Sequence, residues 1–173
     1  MPDIAFRDDV LAQAQQFISA YPEGKQKSAV LPILHLAQQE WGYLSVPVMD
    51  YVAGLLSILP IEVYEVATFY TMFHLKPTGK FVLEVCRTGP CCLLGAEEIM
   101  RYLEAKLGIK FGETTADGLF TLKAVECLAS CGTAPVLQLG DRFCENLTTS
   151  KLDKLILALR EDRYVPGGNL DDY

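Results

Sequence analysis

Four of the six cysteines lie in two short segments whose spacing could form one metal site. Cys86 and Cys91 are separated by four residues, and Cys127 and Cys131 are separated by three. Each pair follows an apolar run of strand composition and is accompanied by glycine or proline residues that favour loops. Two such loops at the ends of neighbouring strands would aim four thiolates at one point. Soft sulfur ligands of this kind select tetrahedral zinc or an iron–sulfur cluster.

The spacing within each pair bears on which metal is bound. Structural zinc usually takes a tight C-x2-C knuckle around a single ion, with ligand gaps of about two to four residues. A 2Fe-2S cluster is wider and takes one pair of ligands per iron, so gaps of four and three residues suit it better. The residues by themselves leave both metals open. A thioredoxin-like redox role would use C-x-x-C, and that motif is absent from the sequence.

Composition and charge exclude several classes of function. The chain has 173 residues, half of them hydrophobic, so it can bury a core as one domain or as a small domain with a helical extension. Its net charge of −7 offers no basic stripe for nucleic acid or anionic lipid. No Ser, His and Asp set, glycine-rich nucleotide motif or paired-carboxylate constellation stands out. We therefore expect neither hydrolytic chemistry nor a nucleotide site on this chain.

The sequence shows no sign of membrane insertion or export. Gly54 and Pro60 interrupt the best apolar run, which falls short of the roughly 18 residues that a membrane span needs. The first residues lack the features of a signal peptide and are too acidic for a mitochondrial transit peptide. We expect a prokaryotic cytoplasmic location, where six cysteines are better explained as metal ligands and free thiols than as disulfides.

The first half of the chain has a helical pattern. Apolar residues recur at helical spacing and are interrupted by glycine and proline. We predict helices over 8–20, about 28–41, from a Ser45 cap across Leu55, and about 61–73. Four short amphipathic helices with brief connections indicate a small bundle, which we assign to residues 1–79.

The second half of the chain, after Gly79, alternates between strand and helix patterns. We predict strands at 81–85 and 119–125, a helix at 95–107, a hairpin of 136–139 with 142–145, and a last helix capped by Thr149 or Ser150. The order strand, helix, strand, strand, helix is that of a thioredoxin-like core, assigned to residues 80–164. Residues 165–173 show no regular period and are predicted to be a tail.

A longer pattern surrounds the cysteines. It runs from Thr68-Phe69-Tyr70-Thr71-Met72-Phe73 through Cys86-x4-Cys91, Leu94-Gly95-Ala96-Glu97-Glu98 and Val125-Glu126-Cys127-Leu128 to Cys131-x2-Ala134-Pro135. This pattern resembles the E subunit of NADH:quinone oxidoreductase, the thioredoxin-like 2Fe-2S ferredoxin component of respiratory complex I. Relatives of that family occur in NAD-linked hydrogenases and formate dehydrogenases. The resemblance spans roughly residues 7–160 in matching order.

The resemblance implies an α/β protein with an N-terminal small helical bundle followed by a thioredoxin-like 2Fe-2S ferredoxin domain. It implies a 2Fe-2S cluster on Cys86, Cys91, Cys127 and Cys131 that transfers one electron at a time. A separate flavoprotein subunit is implied to oxidise NADH on FMN and to exchange single electrons with this cluster. In the family the cluster lies beside the main iron–sulfur chain, which implies a reservoir or tuning role. The implied location is the peripheral arm, among other peripheral-arm subunits, on the cytoplasmic face of the membrane.

Two alternative assignments remain at this point. The same module could serve the diaphorase part of an NAD-dependent hydrogenase or formate dehydrogenase. From a different class of function, the chain could be a zinc-stabilised thioredoxin-like interaction module without redox chemistry.

Residues beside the four cysteines carry further expectations. We predict that Cys92 is a packed free thiol and that Cys144 is a small buried hydrophobe, at a position where family members more often carry an aromatic residue. Backbone N–H groups between Arg87 and Gly89 could donate to cluster sulfurs and raise the reduction potential. Arg87 is expected either to be solvated or to add to that effect.

Overall fold

Four α-helices form the first half of the chain in the computed structural model, which describes residues 4–163. A 3-10 turn at Gln26–Ala29 precedes the second of them. The helices are α1 (Asp8–Ser19), α2 (Val30–Trp41), α3 (Val46–Leu56) and α4 (Pro60–Phe69). The small helical bundle expected from the sequence is thereby confirmed.

The sequence of α2 shows why these helices form where they do. Ile33, Leu34 and Ala37 recur at helical spacing and are completely buried in the core of the bundle. Pro32 occupies the third helical position, where the N–H that proline lacks would have had no partner within the helix. Gly42 ends the helix in the left-handed region, at a φ of 78°, which favours glycine.

The prediction that the fourth helix reaches Phe73 is wrong, because α4 ends at Phe69. The amide side chain of Gln38 donates to the carbonyl of Met72 at 3.0 Å and accepts from the N–H of His74 at 2.6 Å. These hydrogen bonds replace those of another helical turn. The turned backbone buries Phe73 in the core and leaves Phe69 77% exposed.

The second half of the described chain contains a four-stranded mixed sheet and three α-helices. Strand β1 pairs in parallel with β2 and antiparallel with β3, and β3 pairs antiparallel with β4, so the strand order is β2-β1-β3-β4. The elements are β1 (Phe81–Cys86), α5 (Gly89–Leu93), α6 (Ala96–Leu107), β2 (Phe120–Val125), β3 (Leu137–Leu139), β4 (Arg142–Cys144) and α7 (Thr149–Arg160).

This topology confirms the thioredoxin-like order predicted from the sequence, with two local differences. The short helix α5 was not predicted, since the sequence pattern indicated a loop there. The cap of α7 is Thr148, one residue before the predicted Thr149, and its hydroxyl accepts from the N–H of Lys151 at 3.2 Å.

The two faces of β1 are buried against different groups of residues. Leu83 and Val85 are completely buried in the main core that the sheet forms with α6 and α7. Successive side chains of a strand point to opposite faces, so Cys86 points away from that core. Cys86 is nevertheless only 1% exposed, because it packs in a small separate cluster with Cys91 and Ala134. The end of β1 thus carries a buried thiol on the face opposite the core.

Contacts divide the chain into two compact units, with the boundary between Pro77 and Thr78. The bounds 1–79 for the helical bundle and 80–164 for the thioredoxin-like domain stay a prediction. The predicted tail at 165–173 lies outside the described residues. Between residues 4 and 163, no helix is both long enough and apolar enough to span a membrane.

Gly79 offers a test of how tightly the chain packs where β1 begins. Its N–H donates to the Thr121 hydroxyl at 2.7 Å, and an added Cβ would lie 2.9 Å from the Phe120 backbone. Because backbone atoms cannot give way easily, Gly79→Ala should lower the free energy of unfolding by about 1–3 kcal/mol. Urea unfolding followed by circular dichroism measures this change.

Gly54→Ala is the matched control for this substitution. Gly54 lies within α3, and an added Cβ would meet nothing within 4 Å. Alanine is the better helix former, so the control should leave stability unchanged or raise it by up to ~1 kcal/mol. A Gly79→Ala variant as stable as the control would contradict the close approach to Phe120.

Candidate metal centre

The four predicted ligands lie where β1 and β2 end. Cys86 is the last residue of β1, and Cys127 follows the end of β2 by two residues. Cys91 lies in α5, whose second residue is Pro90, a residue that suits the first turn of a helix. Cys131 begins a 3-10 turn that ends at Thr133. The structure therefore brings the two cysteine segments to one edge of the sheet.

The parallel register of β1 and β2 sets the two segments side by side. Cys86 is the partner of Val125, and the N–H of Arg87 continues the ladder to the Val125 carbonyl at 3.0 Å. Just beyond the strands, the Arg87 guanidinium contacts the Glu126 carboxylate at 2.8 Å. Both side chains are more than half exposed, so this ion pair adds little to stability. Arg87 is the solvated charge that we considered from the sequence.

The thiols meet as two pairs. The sulfurs of Cys127 and Cys131 are 3.6 Å apart. Cys86 and Cys91 are buried in one small cluster, where each thiol shifts the pKa of the other. Metal–thiolate bonds of about 2.3 Å place two sulfurs of one tetrahedral metal roughly 3.8 Å apart. Within residues 4–163, no three His, Cys, Asp or Glu side chains converge closely enough to hold one ion. The sequence analysis expected one pair of ligands for each iron of a 2Fe-2S cluster, and the two pairs of thiols are compatible with that expectation.

Hydrogen bonds and burial shift the pKa values of the two thiols of the first pair in opposite directions. Burial by itself raises the pKa of Cys86, but hydrogen bonds from the Thr88 hydroxyl and from the N–H groups of Thr88 and Leu128 outweigh it. The pKa of Cys86 therefore lies below its ordinary value. Burial and the neighbouring Cys86 thiol raise the pKa of Cys91 to about 11, although the Val136 N–H opposes this shift. Of the two thiols, Cys86 therefore has the lower pKa.

The pKa values of the two thiols of the second pair also shift in opposite directions. The N–H of Ala129 lies 3.4 Å from the Cys127 sulfur and lowers the pKa of that thiol, with help from Cys131 and Thr88. The hydrogen bond to Cys127 raises the pKa of Cys131, and partial burial adds to the effect. Ala129 adopts the left-handed region, at a φ of 61°, within this tight loop. Binding a metal therefore requires the second thiol of each pair to give up its proton as well.

The Thr88 hydroxyl lies between the two pairs. Its oxygen is 3.3 Å from the Cys86 sulfur, and the hydroxyl also helps to lower the pKa of Cys127. Thr88 is the N-cap residue of α5, yet its side chain makes no capping hydrogen bond. The sequence analysis considered the backbone N–H of Thr88 as a donor to sulfur, but it did not consider the hydroxyl. Threonine is an ordinary residue in a loop, which the sequence pattern indicated here, so the sequence carried no signal for this contact.

The two pairs differ in their exposure. Cys86 and Cys91 are 1% and 2% exposed and pack with Ala96 and Ala134. Cys127 and Cys131 are both exposed, and the loop that carries them contributes only Leu128 to this packing. One half of the site is therefore shielded from water, and the other half opens to the surface.

A carboxylate that follows the last strand of the sheet reaches the exposed loop. Glu145, directly after β4, accepts hydrogen bonds from the hydroxyls of Ser130 and Thr133 at 2.6 and 2.7 Å. The sequence analysis did not single out these residues. Glu145 is 15 residues from Ser130 in the chain, so only the return of β4 to the sheet brings them together.

The remaining two cysteines behave as predicted. The Cys92 thiol is partly buried and donates to the Arg87 carbonyl at 3.1 Å, away from the paired sulfurs. Cys144 is buried in the main core opposite Leu137, and burial raises the pKa of its thiol to about 11. Neither thiol belongs to the two pairs.

The donor set fits a metal bound through sulfur. All described cysteines are free thiols, and four of them form two contacting pairs with N–H groups directed at their sulfurs. One pair per metal ion is what a two-iron cluster requires of its protein. The residues present therefore fit a 2Fe-2S cluster held by Cys86, Cys91, Cys127 and Cys131.

Comparison with protein families and curated proteins gives consistent results. Residues 14–160 match the family of thioredoxin-like [2Fe-2S] ferredoxins. The chain is 49% identical over 150 residues to the NADH-quinone oxidoreductase E subunit of Rickettsia conorii, covering 86% of this chain and 90% of the relative. It is 50% identical over 144 residues to the protein of the same name from Rickettsia felis, covering 83% of this chain and 86% of that relative.

A solved structure of an NAD+-reducing [NiFe]-hydrogenase in the air-oxidized state shares the fold. The two superimpose with a TM-score of 0.71 and 20% sequence identity. The match covers 82% of this chain and 24% of the hydrogenase chain, so this chain corresponds to about a quarter of that longer one. At this identity the likeness concerns the fold alone.

Thiol alkylation of the metal-free protein tests the arrangement of the cysteines. At pH 8 the exposed Cys127, with its lowered pKa, should react with iodoacetamide at least ~100 times faster than Cys144. Cys144 is buried, and with a pKa of about 11 it is almost entirely protonated at that pH. Raising the pH toward 11 should narrow the difference, because the Cys144 thiolate fraction then grows. Mass spectrometry of the labelled peptides measures both rates.

The same reaction in concentrated urea serves as the control for this labelling. Without the fold, all six cysteines should react at similar rates. Equal labelling of Cys127 and Cys144 in the folded protein would show that β4 does not bury its cysteine.

Proposed function

This chain belongs to the thioredoxin-like [2Fe-2S] ferredoxin family, and on that premise we propose that it is an electron-transfer subunit of NADH:quinone oxidoreductase. Its 2Fe-2S cluster would supply one-electron exchange with the FMN of a partner flavoprotein subunit that oxidises NADH. The single observation that carries the proposal is the set of four thiols, paired two and two at the ends of β1 and β2. Two relatives of about half identity, both named as the E subunit of that enzyme, support it.

We assign the two thiol pairs to the two irons. Cys86 and Cys91 form the buried pair, and Cys127 and Cys131 form the exposed pair. The buried pair is held by the strand β1, by α5 and by the packing around Ala134, which excludes water from that side. The exposed pair leaves one side of the site close to the surface, where a partner subunit can approach for electron transfer.

The protein tunes this site through hydrogen bonds to sulfur. The N–H groups of Thr88, Leu128, Ala129 and Val136, together with the Thr88 hydroxyl, are directed at three of the four thiols, those of Cys86, Cys91 and Cys127. Donors of this kind stabilise negative charge on the ligands and therefore favour the reduced, more negative form of the site. The backbone geometry of the two cysteine segments is thus a determinant of the reduction potential.

The other parts of the reaction are assigned to other subunits. NADH and FMN belong on the partner flavoprotein. We propose that the subunit lies in the peripheral arm, on the cytoplasmic face of the membrane and without inserting into it, and that its cluster acts as a reservoir or tuning centre.

The competing assembly is the diaphorase part of a hydrogenase or formate dehydrogenase. The names of the curated relatives favour the quinone oxidoreductase, since the hydrogenase likeness concerns the fold alone.

Cofactor analysis of anaerobically purified protein tests the proposed cluster. We expect about two irons and about two acid-labile sulfides per chain, a brown colour, and an EPR signal after dithionite reduction. Cys127→Ser and Cys86→Ser should each lose the cluster, because serine removes a soft thiolate ligand.

Cys144→Ser is the matched control, because Cys144 is buried in the main core, apart from the cluster of residues that holds Cys86 and Cys91. This variant should keep iron and sulfide at the wild-type content. Loss of the cluster in Cys144→Ser would overturn the ligand assignment. Zinc without iron in the wild-type protein would leave the fold standing and remove the electron-transfer function.

Thr88→Val tests the contribution of the hydroxyl that lies between the pairs. Valine has a similar shape but cannot donate to the Cys86 sulfur, so the reduced form loses stabilisation and the reduction potential should fall. A hydrogen bond of ~1 kcal/mol corresponds to roughly 40 mV. An EPR-monitored redox titration measures the shift.

Thr68→Val provides the control for loss of a threonine hydroxyl. The Thr68 hydroxyl donates to the Tyr64 carbonyl within α4, in the helical half of the chain. The potential of this variant should equal that of the wild type. An unchanged or higher potential in Thr88→Val would mean that the Thr88 hydroxyl does not donate to the cluster ligands.

A further inference from the structure

The exposed half of the metal centre lacks the packing that fixes the buried half. Cys127 and Cys131 are exposed, as are Ala129 and Gly132 between and beside them. Their sulfurs nevertheless lie 3.6 Å apart, which is close to the spacing of two sulfur ligands on one metal ion. Ordering a short surface loop in this way costs conformational entropy that some interaction must offset.

The hydrogen bonds around Glu145 supply such an interaction. One carboxylate oxygen, Oε1, accepts from the Ser130 hydroxyl at 2.6 Å and from the Thr133 hydroxyl at 2.7 Å. The two hydroxyl oxygens are themselves 2.7 Å apart. Ser130 immediately precedes Cys131, and Thr133 ends the turn that Cys131 begins. Glu145 therefore holds the chain on both sides of this cysteine.

Glu145 is itself fixed by the sheet. The preceding residue, Cys144, is buried in the core, so the alternation along β4 directs the next side chain away from that core. The backbone beyond it is also tied to the loop: the N–H of Asn146 donates to the Thr133 carbonyl at 2.7 Å, and that of Leu147 donates to the Pro135 carbonyl at 3.0 Å. The carboxylate is thus presented to the loop from a rigid support.

The charge of Glu145 strengthens these contacts. Hydrogen bonds from Ser130 and then Thr133 lower the pKa of the carboxyl group, so it is ionised at neutral pH. Hydrogen bonds to an ionised acceptor are roughly twice as strong as neutral ones. The two hydroxyls therefore bind a charged acceptor, which holds them more firmly than a neutral side chain would.

We propose that Glu145 is a positioning residue of the metal centre, which holds Cys127 and Cys131 in the geometry of a ligand pair by accepting from Ser130 and Thr133. The inference rests on the proposed function, because it concerns how this chain holds its cluster. Glu145 acts through the loop and not as a ligand, so its removal should affect the exposed pair and leave the fold unchanged.

Glu145→Ala and Glu145→Gln separate this role from general destabilisation. In Glu145→Ala the loop loses its acceptor, and the cluster should be lost to an iron chelator roughly tenfold faster than in the wild type. Its reduced EPR spectrum should also broaden, because the exposed ligands sample more geometries. Glu145→Gln keeps a side-chain oxygen that accepts from both hydroxyls but lacks the charge, so its rate of cluster loss and its line shape should lie between those of Glu145→Ala and the wild type.

A second readout uses the metal-free protein. Amide hydrogen exchange in the segment 127–133 should be faster in Glu145→Ala than in the wild type, while the thermal unfolding temperature stays the same. Ser130→Ala combined with Thr133→Val removes the same hydrogen bonds from the loop side. This double variant should show the same faster exchange in 127–133 as Glu145→Ala, and it keeps the test valid if Glu145→Ala folds poorly.

Glu113→Ala is the matched control. Its carboxylate is exposed and accepts from the Lys110 N–H at 2.7 Å, in a loop that carries no cysteine. Cluster loss and exchange in 127–133 should match the wild type. The inference is overturned if Glu145→Ala keeps its cluster as long as Glu113→Ala does, or if Glu145→Gln behaves like Glu145→Ala. A wild-type chain without iron would instead refute the proposed function, and exchange in the metal-free protein would still decide whether Glu145 fixes the loop.

Discussion

The parallel register between β1 and β2 is the constraint on which the rest of the site depends. It places Cys86 opposite Val125, so that the two chain segments leave the sheet at the same edge and in the same direction. Parallel strands cannot be joined by a hairpin, and the crossover here carries α5 and α6. The connection that the topology demands therefore also delivers Cys91, on α5, to the thiol at the end of β1. The parallel pairing of the strands therefore also sets the positions of the cysteines.

The site combines a rigid half with an accessible half. Packing with Ala96 and Ala134 helps to fix Cys86 and Cys91. Exposed Cys127 and Cys131 lack such packing, and polar contacts replace it. An electron carrier needs both properties, because a shielded interior protects the cofactor and a short path to the surface permits exchange with a partner.

The differences between the sequence analysis and the structure arise where distant residues compete with local patterns. The apolar period of the fourth helix continues to Phe73, but the side chain of Gln38 on α2 satisfies the backbone beyond Phe69 and turns Phe73 inward. The segment around Gly89 and Pro90 has loop composition, yet it forms α5. At the end of the fourth helix, a contact between elements outweighed a weak local preference.

The sequence alone determined the family, the helical first half, the order of strands and helices, and the four cysteines that we propose as ligands. It could do so because hydrophobic period, turn residues and cysteine spacing are local properties that each segment carries with it. Only the tertiary structure decided that one pair of thiols is buried and the other exposed, and that Thr88 and Glu145 contact the site. Such contacts depend on register and on the return of β4 across the sheet, which join residues far apart in the chain. No local pattern encodes them, because the partner of each hydroxyl is fixed only once the strands have paired.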